Sequence, residues 1–102
     1  MSRLLRTRRA SLDLQRLWIY VAERNYPAAD RLIRRLEKTF RLLEHHPYAG
    51  ESVEVLRPNT RRITVGSYVV LYEPLPDGIR LLRVVHSSRR METLFEDENQ
   101  AD

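Results

Sequence analysis

Apolar positions in the first half of the chain recur at helical spacing. Ala10, Leu14, Leu17, Trp18, Val21 and Ala22 form one stripe, with the three- and four-residue period of a helix that buries one face. Asn25-Tyr26-Pro27 interrupts it. Pro27 suits the first position of a second helix, where its missing N–H has no intrahelical partner to lose. Ala29, Leu32, Ile33, Leu36, Phe40 and Leu43 then carry the same period on to Pro47, which stops it. Asp30/Arg34 and Glu37/Arg41 are spaced for i,i+4 ion pairs on the solvent side. A break this short predicts an antiparallel helical hairpin.

After Pro47 the period changes. A polar loop runs from Pro47-Tyr48-Ala49-Gly50 to about Thr60. Arg62–Val65 reads as a strand, Gly66-Ser67 as a turn and Tyr68–Tyr72 as the strongest strand of the chain. Pro74 to Gly78 reads as a second turn, with Asp77-Gly78 supplying a permissive backbone. Ile79–His86 is the last long strand. A short strand, Arg3 to Thr7, precedes the helices, and Ser87-Ser88 is placed to cap a short final helix holding Met91, Leu94 and Phe95. The order is β-α-α-β-β-β. It predicts an α+β, two-layer domain over residues 1–95, with the helical hairpin on one face of an antiparallel sheet and an acidic tail at residues 96–102.

Tyr68–Tyr72 and Leu81–Val85 are apolar on both faces, without clean alternation. One hairpin covers only one face. The expectation is that the other stays open as an apolar groove for a partner segment. Tyr20, Tyr68, Val70, Tyr72, Leu82 and Val84 are the contact candidates. Trp18 lies on the apolar stripe and is assigned to the core, whereas Tyr20 falls off it.

The chain has 102 residues, of which 42% are hydrophobic and 31% charged, enough apolar volume for one small core. It has no Cys, which excludes disulfides, thiol nucleophiles and thiolate metal sites. No apolar run approaches the roughly 20 residues of a membrane span. Met1 to Ala10 is basic but has no apolar stretch of the kind a secretory signal carries. A soluble, cytoplasmic domain is expected, with no membrane partner and no cofactor. The net charge is +4, yet residues 1–90 hold all 18 basic and only nine of the 14 acidic side chains. Lys38 is the one lysine. Arg forks onto carboxylate or phosphate, so the basic body admits an acidic protein partner or a nucleic acid, or reflects an Arg-rich proteome.

Catalytic signals are sparse. No Gly-rich phosphate loop and no helical metal spacing occurs. His45-His46 point about 100° apart on a helix, which is poor geometry for one metal, and no metal site is expected. Arg61 and Arg62 open one strand while Arg89 and Arg90 follow another, and an antiparallel sheet could bring the four to one side. His86 is the only base near this set. Arg itself is a poor proton acceptor. The pattern argues for binding over hydrolysis.

The chain resembles the ParE branch of the RelE/ParE toxins of type II toxin–antitoxin systems over about residues 3–95. The resemblance rests on Ala10-x-x-Asp13-Leu14, Trp18–Ala22, Ala28–Ile33, Pro47-x-x-Gly50, Ser67–Tyr72, Asp77-Gly78-Ile79-x-Leu81–His86, Ser87-Ser88-Arg89 and Leu94-Phe95. It implies the same β-α-α-β-β-β fold and a ParD-like antitoxin whose C-terminal segment fills an apolar groove, in a hetero-oligomer. It also implies DNA gyrase as target and no direct nucleic-acid binding. The alternative it leaves is a RelE-like ribosome-dependent ribonuclease, built here on Arg62, His86 and Arg89. Phe95 stands where that branch carries a Tyr, and its lysines are missing, which favours the ParE reading.

Overall fold

In the computed structural model, which describes residues 2–95, the chain runs β1 (Arg3–Arg6), α1 (Arg8–Ala22), α2 (Tyr26–His45), β2 (Glu51–Ser52), β3 (Arg61–Val65), β4 (Tyr68–Leu75), β5 (Gly78–His86) and one 3-10 turn, Met91–Thr93. Thr7 caps α1, its hydroxyl accepting the Ala10 N–H at 3.1 Å. Asn25 caps α2 by accepting the Ala28 N–H at 3.1 Å. Pro27 lies in the first turn of α2, one residue later than predicted. Neither Asp30/Arg34 nor Glu37/Arg41 is among the ion pairs of the described residues. Asp30 instead accepts the Trp18 indole N–H at 3.2 Å, and Tyr26 packs edge-on against that ring. Trp18 therefore joins the two helices.

The sheet order is β1-β5-β4-β3-β2. It is mixed, where an antiparallel sheet was expected. The two helices carry the chain back across the sheet, so β1 lies parallel to β5, from Arg3 opposite Gly78 to Arg6 opposite Leu81. Gly78 permits this approach, since a Cβ there would strike the Arg3 backbone. The loop after Pro47 contains the two-residue β2, paired with Arg61 and Arg62. β4 continues through Pro74 rather than turning there. β3 begins opposite Tyr72, so the ladder asks for no N–H at Pro74 on that side.

A register shift between Leu71 and Tyr72 leaves one extra residue in β5. Leu81 and Val84 thus both face the helices although three residues apart, while Leu82 and Val85 face away. This is why the strand shows no clean alternation. On the helix side Val70, Tyr72, Leu81 and Val84 pack with Leu17, Leu36, Phe40 and Leu43. On the other side Val69, Leu71, Leu82 and Val85 pack under Leu94, with Val53, Met91 and Phe95 around them. The second face is therefore closed, which overturns the expected open groove there. The expected final helix is a 3-10 turn after Arg90, without a side-chain cap, short enough to lay Leu94 flat on the sheet. Val70, Tyr72 and Leu82 are buried and offer no surface to a partner. The acidic tail, residues 96–102, lies outside the described residues.

Two polar devices hold this arrangement. The Tyr72 hydroxyl donates to the Pro47 C=O and accepts the Gly50 N–H, both at 2.8 Å, pinning the loop that leaves α2. The Arg83 side chain is 4% exposed. Its Nε and Nη2 donate to Asp13 at 2.8 and 3.2 Å, and Nη1 donates to the Leu94 C=O at 2.9 Å. Asp13 also accepts the Val84 N–H at 3.0 Å.

Asp13→Ala strands a buried guanidinium and should cost about 3–5 kcal/mol in urea unfolding, while Asp13→Leu with Arg83→Met should cost less than the single change. Burial pushes the Tyr72 phenol above its ordinary value of 10.0, against the Gly50 N–H and Arg61, which pull it down. Its contribution to stability is then full below pH 10 and lost as pH rises toward the raised value. Tyr72→Phe should cost about 1–3 kcal/mol at neutral pH by orphaning the Gly50 N–H. It should also flatten the alkaline fall in the melting temperature.

Candidate functional site

β1 covers the outer edge of β5 only as far as Leu81. Beyond it the start of α1 takes over. The Thr7 hydroxyl donates to the Leu82 C=O at 3.1 Å, and Asp13 takes the Val84 N–H. Past Asp13 the helix and the strand enclose an open groove of about 670 Å³. Arg16, Leu17 and Tyr20 line it from α1, Ser67 and Tyr68 from the β3–β4 turn, and Val84 to Arg89 from the end of β5. Strand alternation aims the Val84 C=O and the His86 N–H out of this same uncovered edge.

The floor of the groove is apolar, formed by Leu17 and Val84, both under 8% exposed. Tyr20, 58% exposed, stands at the rim with the Arg24 guanidinium 4.0 Å above its ring. Tyr68 meets the His86 ring edge-on at 5.5 Å. Arg16 and Arg89 supply two cations, whereas the one carboxylate, Asp13, is committed to Arg83. The His86 Nδ1 accepts the Ser88 N–H at 3.1 Å and lies 2.8 Å from the Ser88 hydroxyl. An accepting Nδ1 places the imidazole proton on Nε2. An apolar floor, aromatic rims and flanking guanidiniums suit an extended or helical peptide with acidic residues at its margins.

The structure brings together Tyr20, Tyr68, Val84, His86 and Arg89, and leaves the other candidates elsewhere. The four-arginine cluster does not form. Arg61 pairs with Tyr72 while Val65 pairs with Tyr68, so the strand register puts Arg61 and Arg62 at the far end of β3 from the groove. Arg61 donates to the Tyr48 and Gly50 carbonyls and covers the Tyr48 ring, Arg62 pairs with Glu51, and Arg90 with Glu92. The Arg62, His86 and Arg89 set of the nuclease alternative is split for the same reason. Among the described residues no three His, Asp or Glu side chains converge to hold a metal. No helix there is long and apolar enough to cross a membrane.

Arg16, Ser67 and Ser88 line the groove and the Asp13–Arg83 pair braces it, and the sequence pattern assigned none of them to the site. Arg83 had a readable signal, an arginine with two apolar residues on either side of it, Leu81-Leu82 and Val84-Val85, which a buried partner must neutralise. Arg16 had none, because its place depends on where β1 stops.

Residues 4–91 match the family model described as "ParE toxin of type II toxin-antitoxin system, parDE". Toxin ParE1 of Caulobacter vibrioides is 36% identical over 80% of this chain and 85% of its own length. Toxin RelE1 of the same organism is 34% identical over 76% of this chain and 85% of its own. Among solved structures, a chain of the "Chromosomal ParDE TA system from P. aeruginosa" superposes with a TM-score of 0.70 at 22% identity, covering 84% of this chain and 96% of that one. At that identity the likeness is one of fold. The family match spans both helices and all five strands, groove included, and the chain thus belongs to the ParE toxins of type II toxin–antitoxin systems.

Proposed function

We propose that this ParE-type toxin stops bacterial growth by binding and inhibiting DNA gyrase, and that a cognate ParD-like antitoxin neutralises it by laying a segment into the groove between α1 and the end of β5. It acts in the bacterial cytoplasm as a binding protein, in a toxin–antitoxin hetero-oligomer. The observation that carries the antitoxin reading is the groove itself, with its apolar floor of Leu17 and Val84. The free edge at Val84 and His86 offers backbone groups to an added strand. Tyr20 and Tyr68 supply aromatic anchors, the residue class that dominates binding energy. Arg16 and Arg89 favour a net acidic segment and speed its encounter. The gyrase reading rests on family membership.

Induction of the chain alone should give filamentous cells with DNA-damage signalling, and purified gyrase should lose supercoiling activity when the protein is added. Messages on translating ribosomes should stay intact. Codon-dependent cuts that vanish in Arg89→Ala would replace the gyrase reading with the RelE-like one.

For the antitoxin site, Tyr20→Ala should weaken binding of the cognate antitoxin by about 1–3 kcal/mol, chiefly through faster dissociation. Arg16→Glu with Arg89→Glu should slow association and reverse the salt dependence, with little change in dissociation. Surface-plasmon kinetics at two salt concentrations separates these outcomes. Wild-type kinetics in both variants would place the antitoxin elsewhere.

A further inference from the structure

The solvent face of α2 carries a second surface, independent of the groove and of the target assigned above. Arg31, Arg34, Arg35, Lys38 and Arg41 are all exposed. At about 100° and 1.5 Å per residue they fall within ~120° of arc and extend over ~15 Å. No member of this row takes part in an ion pair among the described residues. The three acids of α2 do not compensate it. Asp30 takes the Trp18 indole N–H, Glu44 takes the Ser2 hydroxyl, and Glu37, at the flank of the row, makes no ion pair among the described residues. Arg31/Arg35 and Arg34/Lys38 are like-charged i,i+4 neighbours, which weaken a helix. The row carries repulsion along its own length that no ion pair among the described residues relieves.

We infer that this face binds the phosphate backbone of duplex DNA without reading its sequence. A rigid line of cations gains most from a partner with a dense, regular array of anions, and duplex DNA carries one charge per ≈ 1.7 Å of axis. The composition of the face excludes better-fitting partners. It has one apolar side chain, Leu42, too little for the desolvated centre of a protein interface. It has no Phe, Tyr or Trp to stack unpaired bases. The apolar face of α2 is spent on the core through Leu36, Phe40 and Leu43, so it has nothing to insert into a membrane. Direct nucleic-acid binding, unexpected from the sequence reading, becomes visible once the helix places these residues in one row. No residue of α2 lines the groove, so an antitoxin seated there leaves the row open.

The test is fluorescence anisotropy of the full chain with short labelled duplexes of two unrelated sequences, between about 50 and 200 mM salt. The two duplexes should bind equally within about twofold, and log K should fall against log salt with a slope of about −4.5 for five phosphate contacts. In R34Q/K38Q/R41Q the slope should shrink to about −2. Affinity at low salt should drop at least ~10-fold, with the melting temperature unchanged or raised because repulsion is relieved. The groove variant R16Q/R89Q should bind DNA as the parent does. Absence of DNA binding at low salt would overturn the inference. So would binding that survives the triple change, loss in the groove variant instead, or preference for anionic vesicles over duplex.

Discussion

The buried pair of Asp13 and Arg83 is the constraint on which the rest of the molecule depends. β5 is protected by β1 only along its first half, and an unpaired central-strand edge is costly to leave bare. Asp13 closes the next step of that edge by accepting the Val84 N–H, and it neutralises Arg83 from the same carboxylate. The remaining arm of the guanidinium holds the Leu94 carbonyl. One ion pair thus ties α1, the last strand and the C-terminal segment together. Its energetic worth lies in the penalty for breaking it, since the two charges have already left water.

From that point two consequences follow in opposite directions. Toward the C-terminus, Leu94 is held against Val69, Leu71, Leu82 and Val85, so a chain of this length covers both faces of its sheet without a partner. Toward the end of α1, nothing continues the work of Asp13. The helix carries Arg16, Leu17 and Tyr20 past a strand edge that β1 does not reach, and the groove is the space left over. The site is a by-product of a short first strand.

The two helices divide the chain's surface chemistry. α1 gives Arg16 and Tyr20 to the groove, where apolar floor and flanking cations suit a peptide. α2 gives its apolar residues to the core and its outer face to an uncompensated row of cations. The two surfaces share no residue, so occupation of one leaves the other available. Glu73, which pairs with both Arg57 and Arg80, shows that this chain neutralises arginine where the fold requires it. The bare row on α2 stands out against that habit.

Both helices, the three long strands and their order were legible in the hydrophobic pattern, because a period of 3.6 or 2 is a local property of residues that share a face. So were Tyr20 as an exposed aromatic and Trp18 as a packing residue. Three features were not legible, each for a stated reason. The parallel placement of β1 depends on the path of the helical hairpin across the sheet, which no local pattern encodes. The closure of the second face depends on an extra residue in β5 and on Arg83 holding Leu94, so apolar residues that looked like a vacant groove proved to be a second core. The arginines that looked like one cluster were separated by the register of β3 on β4, because strand pairing converts a few residues of offset into most of the sheet's length. The sequence by itself determined both helices and the three long strands, and with them the family. Tertiary structure alone decided which strand edge stays open and which cations share a surface, since both depend on where one element ends against another.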